Sequence, residues 1–159
     1  MEQVFWDDAY ARSCEATVTF VDERGIELDR TVFYPTGGGQ PGDIGSLKTA
    51  DGITISIVNS MKGDGPDGVL HVPADDAPSL SPGTQVTAEI DWDRRHRLMR
   101  MHTCMHLLSA IVPFPVTGGQ VGDEKGRLDF DISEAGLDKE EITVALNRLI
   151  DEDHPVVSE

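Results

Sequence analysis

His102 and His106 stand four residues apart, and on a helix that spacing puts two imidazoles on one face with Cβ atoms roughly 5–6 Å apart. Both rings can then reach adjacent corners of a zinc tetrahedron. Two partly buried histidines that only donate hydrogen bonds have the same spacing, so the pair alone leaves both readings open. Cys104 lies between them, but two residues along a helix is a rotation of about 200°, which turns its thiol away from the imidazoles and into packing. No cysteine follows His106, and His154 lies near a helix end with no second ligand beside it.

Two other stretches carry chemistry. In Tyr34-Pro35-Thr36-Gly37-Gly38-Gly39-Gln40-Pro41-Gly42-Asp43-Ile44-Gly45, the glycines 37, 39 and 42 satisfy the G-x-G-x-x-G spacing. A dinucleotide site needs a helix opening on the last glycine, whereas residues 43–47 read as a strand, so that function is excluded. The glycines instead free the backbone for positive φ or for close approach to a ligand, with Thr36 and Gln40 as polar contacts; a tight structural turn is the alternative. Arg94, Arg95, Arg97 and Arg100, with His96 among them, form the one dense basic cluster. Guanidinium forks suit phosphate oxygens, which makes the four arginines candidate phosphate contacts to a nucleic acid; pairing with Asp91 and Asp93 on a solvated helix face is the plainer reading.

The elements that must hold these residues fall into two parts. From Ala16 to Asp91 the chain shows short β-rich runs, Thr17 to Val21, Ile26 to Tyr34, Ile53 to Val58, Val69 to Val72 and Val86 to Ile90, broken by Gly, Pro and Asp. They predict a small antiparallel sheet closing toward a barrel. Near Asp91 the period changes: Leu98, Met101, Met105, Leu108 and Val112 make one stripe of a helix that starts near Asp93 and stops at Pro113. Gln120 to Ile132 reads as two strands around an Asp123-Glu124-Lys125-Gly126 turn. Asp138 and Glu141 resemble a capping box opening a second helix, with Ile142, Leu146 and Leu149 as its buried stripe. Val156-Val157 looks like the start of a further strand. The expected class is α+β, with a β-barrel-like domain over residues 1–91 and an α/β piece over 92–159.

Thirteen basic against 29 acidic residues give a net charge of −16, which opposes global capture of a polyanion and requires any nucleic-acid contact to be local. Neither a signal peptide nor a long apolar run is present, and Cys14 and Cys104 read as free thiols, so a cytoplasmic protein without membrane partners is expected.

The glycine-rich run, Asp91-Trp92-Asp93-Arg94-Arg95, Met99-Arg100-Met101-His102-Thr103-Cys104-Met105-His106-Leu107-Leu108 and Arg127-Leu128-Asp129-Phe130 together resemble the editing region of alanyl-tRNA synthetase and its freestanding AlaX relatives. The match is collinear over nearly the whole chain, and the leading β domain makes the medium-length AlaX class the nearer resemblance. It implies a small β-barrel followed by an α/β editing domain, here incomplete, and a trans-editing hydrolase that cleaves a wrong amino acid, chiefly serine, from tRNA(Ala). It also implies Zn2+ held by His102 and His106 plus a Cys-x-x-x-His pair, and substrate contacts at Thr36, Gly38, Gly39, Gln40 and Thr103. Such an ion orients the aminoacyl group or polarises a water, and using the extra hydroxyl of serine gives selectivity that an alanine pocket lacks. The Cys-x-x-x-His half is absent after His106, so the 159 residues read as the front of a longer protein, and the chain alone is expected to be inactive. No adenylate-forming domain is seen, so no ATP requirement is expected. A non-catalytic tRNA-binding module and a threonyl-tRNA synthetase-like editor are the rivals; the glycine-rich loop argues against the second. No residue is assigned a catalytic role from the sequence.

Overall fold

The computed structural model describes residues 1–133 and 136–155, so the Val156-Val157 strand falls outside the described residues. The chain divides into two compact units, residues 1–95 and 96–159. In the first, β1 (Glu2–Gln3), the single turn α1 (Val4–Asp7), β2 (Ser13–Asp22), β3 (Gly25–Leu28), β4 (Arg30–Thr31), β5 (Gly45–Thr49), β6 (Thr54–Lys62), β7 (Val69–Pro73) and β8 (Gln85–Ile90) follow in order. Six of them close an antiparallel barrel in the order β2-β3-β7-β6-β5-β8, and β1 pairs in parallel with β4 outside it.

Strand alternation explains the barrel. In β8, Val86, Ala88 and Ile90 are buried while Gln85 and Glu89 face out; in β6, Ile55 and Ile57 are buried while Thr54, Ser56 and Val58 are exposed. These side chains join Val18, Leu28, Val32, Phe33 and Leu47 in one core cluster. Each large aliphatic group withdrawn from water contributes about 1.5–3 kcal/mol. After Ile57 the register of β6 slips by one residue against β7, so the alternation shifts and Ser60, not Asn59, is buried. The run predicted over Ile26 to Tyr34 breaks at Asp29 into β3 and β4, and Val32 and Phe33 fill the core without joining a strand.

Thr31, Ser60 and His71 are polar side chains fully buried in this unit. His71 on β7 is fully buried, with Nδ1 2.9 Å from the Ile26 carbonyl and Nε2 2.8 Å from the Thr31 hydroxyl. A carbonyl only accepts, so Nδ1 carries the proton and Nε2 accepts from Thr31 Oγ1, which itself accepts from the Phe33 amide at 3.0 Å. The neutral ring is satisfied at both nitrogens. Burial holds its pKa down at about 4.

Helix α2 (Trp92–Ile111) begins in the first unit; β9 (Val116–Gln120), β10 (Arg127–Phe130) and α3 (Lys139–Asp151) complete the second. Leu98 and Met105 of the α2 stripe pack with Val121, and Met101 and Leu128 border them. The β9–β10 pair is antiparallel, but its first strand lies at Val116–Gln120, earlier than the predicted run from Gln120. Gly118 and Gly119 hide it from a reading by β propensity, yet they suit it: Gly119 faces Leu128, whose Cδ2 would lie 3.1 Å from any Cβ added there. Asp138 caps α3 as predicted, its carboxylate accepting from the Glu140 and Glu141 amides. The predicted buried stripe is corrected: no residue of α3 is buried, and Ile142, Leu146 and Leu149 remain partly exposed. No helix among the described residues is long and apolar enough to cross a membrane.

Candidate functional site

The glycine-rich run folds as a hairpin tip seated on the barrel wall. Gly37 and Gln40 exchange backbone hydrogen bonds at 3.1 and 3.0 Å, and between them Gly38 and Gly39 take φ of 58° and 78°. Two successive positive φ values define the tight turn that glycine enters without a Cβ penalty. Both glycines are exposed at the tip, whereas Gln40 is buried. Below the tip the loop clamps onto the displaced part of β6. The Thr36 amide and hydroxyl both donate to the Ser60 carbonyl, and Thr36 Oγ1 accepts from the Gly42 amide at 3.0 Å. Gly42 lies so close that a Cβ there would stand 1.9 Å from the Ser60 oxygen. The close approach anticipated for a ligand is therefore, at Gly42, an approach to the protein's own strand. The Thr36 hydroxyl hydrogen-bonds to Gly42 of the loop and to Ser60 of β6, on a residue that remains exposed.

Asp43 anchors this loop. It is 1% exposed; its Oδ2 accepts from the Tyr34 amide at 2.7 Å and from the Arg95 guanidinium, and its own carbonyl accepts from Ser60 Oγ at 2.9 Å. Burial pushes the Asp43 carboxyl up, and the Arg95 charge pulls against that rise. Asp91 fixes the start of α2 beside it: its amide donates to the Ile44 carbonyl at 2.8 Å, and its carboxylate accepts from the Arg94 amide at 3.0 Å.

The four arginines thus separate. Arg95 is 4% exposed, paired with Asp43 and placed over the Tyr34 ring at 5.5 Å, so its assignment to phosphate binding is corrected to a structural one. Arg94 donates to the Gly42 carbonyl at 2.9 Å and is partly exposed. Arg97 meets Asp123 at 3.3 Å on the surface, and Arg100 is exposed and in no ion pair among the described residues. Sequence reasoning missed Asp43, whose place among glycines reads as turn chemistry. The clue was Arg95 itself, three residues before the buried Leu98 and therefore in line with the apolar stripe.

In the second unit, α2 brings His102 and His106 together as expected. Their ring centroids are 4.9 Å apart and the planes differ by 17°. His102 is partly buried and His106 exposed; burial first, and then the charge of His106, hold the His102 pKa down. A neutral imidazole is the form that binds a metal. Thr103 is exposed and Cys104 partly buried on the same helix. Among the described residues no group of three or more His, Cys, Asp or Glu converges to hold a metal ion. His154 is exposed and 2.9 Å from Glu152, its neighbour two residues away. The described donors therefore do not complete a zinc site, which takes three or four protein ligands.

The chain as a whole is similar to proteins of alanyl-tRNA charging and editing. Residues 8–94 match the family of tRNA synthetases class II (A). The alanyl-tRNA editing protein AlaX-M of Methanosarcina acetivorans is 38% identical over 164 residues, covering 98% of this chain and 67% of that protein. Its counterpart from Pyrococcus horikoshii is 34% identical over 94% of this chain and 70% of its own length. The alanine–tRNA ligase of Sulfurisphaera tokodaii is 37% identical over 80% of this chain but only 14% of that enzyme. The chain belongs to the AlaX-type alanyl-tRNA editing family. It spans about two thirds of the length of the Methanosarcina relatives, 67%, 67% and 65% of the three.

Proposed function

We propose that this chain is the part of an alanyl-tRNA editing hydrolase that carries the barrel, the glycine-rich clamp and one half of a zinc site, and that the whole enzyme deacylates mischarged tRNA(Ala), chiefly Ser-tRNA(Ala). The observation that carries the reading is the stacked His102–His106 pair in a chain collinear with AlaX-M proteins. When Zn2+ is bound it supplies a Lewis acid at the aminoacyl ester; among the described residues His102 and His106 are the side chains that would hold it. The partly exposed Arg94 and the exposed Arg97 and Arg100 are the proposed tRNA phosphate contacts, and Thr103, exposed one residue from His102, is a proposed substrate contact. Gly38 and Gly39 offer an exposed backbone to the same RNA. The reaction is proposed to need no ATP and to take place in the cytoplasm.

The test is a chimaera in which this chain is joined to the segment of the Methanosarcina acetivorans relative that it does not cover. The chimaera is expected to deacylate Ser-tRNA(Ala) faster than Ala-tRNA(Ala), and the double substitution His102→Ala, His106→Ala is expected to abolish that activity. A folded chimaera that spares both esters, or one indifferent to the double substitution, would overturn the proposal.

A further inference from the structure

Trp6 on α1 is 71% exposed, yet it is held on three sides. Its indole N–H donates to Gln3 Oε1 at 2.7 Å, and the Gln3 amide donates to the Asp67 carbonyl at 3.1 Å. Its ring lies 5.4 Å from the buried Phe5 ring and 6.2 Å from Tyr34, edge-on at 77°. A large aromatic surface that is both exposed and immobilised is a preorganised contact, because the entropy of ordering it is already lost. Tyr34 connects it to the glycine-rich clamp. A Cβ built at Gly37 would stand 3.9 Å from the Tyr34 hydroxyl and 3.8 Å from Lys62 Cε. Lys62, exposed at the end of β6, takes part in no ion pair among the described residues, in a chain whose net charge is −16.

We propose that Trp6 is a stacking surface for an unpaired nucleotide at the single-stranded end of the RNA substrate, with Lys62 receiving an adjoining phosphate. The inference rests on the reading of the protein as acting on tRNA. Asp7 and Asp8 follow Trp6 in the chain, which disfavours tracking a duplex backbone. An exposed flat ring on one side of Tyr34, with the Lys62 side chain and the Tyr34 hydroxyl both lying beside Gly37, instead suits one splayed base and its phosphate.

The chain contains two tryptophans, Trp6 and Trp92, so Trp92→Phe leaves Trp6 as the sole indole fluorophore. The probe is an unstructured RNA heptamer ending in cytidine-cytidine-adenosine, with binding followed in parallel by the anisotropy of a labelled copy. The Trp6 emission is expected to be quenched saturably, in step with the anisotropy. Trp6→Ala is expected to weaken binding by about five- to hundredfold, the range spanned by stacking of one base, and Trp6→Phe to retain most of it. Lys62→Ala should flatten the salt dependence by about 0.7 in log–log slope. An emission that stays unchanged while the RNA binds, an absence of binding, or equal affinity in Trp6→Ala would overturn the inference; the first outcome leaves Trp6 to packing or to a protein partner. Quenching by the heptamer together with an inert chimaera would instead separate a sound nucleotide contact from a failed hydrolase reading.

Discussion

Arg95→Met is expected to act on stability rather than on RNA binding, and the size of the effect follows from its surroundings. The Arg95 and Asp43 side chains are 5% and 1% exposed, and Asp43 Oδ1 and Arg95 Nε find no hydrogen-bond partner among the described residues. The pair is therefore poorly repaid for its desolvation, and it holds the clamp on the start of α2 more than it stabilises the fold. Removing the guanidinium alone leaves an uncompensated buried carboxylate, at a cost of about 3–5 kcal/mol. For a unit of 95 residues that is a drop in Tm on the order of 15–30 °C. The pH dependence supplies a second readout. Without Arg95 the Asp43 pKa rises further above its unfolded value, so the folded state binds the proton more tightly and the deficit shrinks as pH falls from 7 toward 4. The double variant Asp43→Leu, Arg95→Met should recover much of the loss. Thermal unfolding by circular dichroism across that pH range, with tRNA binding measured against salt, decides the matter. A variant that melts within a few degrees of the parent but loses one counterion from its salt slope, as Arg100→Ala is expected to, would show that Arg95 meets phosphate and that the buried pair has been misjudged.

His71, held at about 4 by burial against an ordinary value near 6.5, is neutral in the fold and takes up a proton on unfolding. Stability should fall as pH drops through about 6.5 to 4, by roughly 3 kcal/mol in total, and His71→Gln should remove that portion of the pH dependence in denaturant titrations. Gly42→Ala should cost more than about 2 kcal/mol, since its Cβ would meet the Ser60 carbonyl at 1.9 Å and neither backbone can yield cheaply; a variant as stable as the parent would mean the clamp is looser than described. With two imidazoles as donors, the chain should bind Zn2+ weakly and surrender it to a mild chelator. Tight one-to-one binding in calorimetry, lost on mutating either histidine, would show that another group completes the site.

The barrel was readable because its strands alternate cleanly: Val86, Ala88 and Ile90 or Ile55 and Ile57 point inward at period two whatever their partners. The histidine pair was readable for the same reason, since a spacing of four on a striped helix settles which side chains are neighbours. What escaped depended on partners distant in sequence. Arg95 meets Asp43 across 52 residues, and seen locally it is one arginine of a basic cluster, with the same charge as the three that stay at least partly exposed. The strand at Val116–Gln120 escaped because its two glycines carry no side chain for a propensity to register. The stripe of α3 failed in the opposite sense: Ile142, Leu146 and Leu149 have the period of a buried face, but periodicity states only which residues share a face, and burial needs a surface to cover it. The same distinction applies to function. Spacing could place two imidazoles side by side, while any group that would join them around a metal has to come from chain distant in sequence, so the pair was legible and its partners were not.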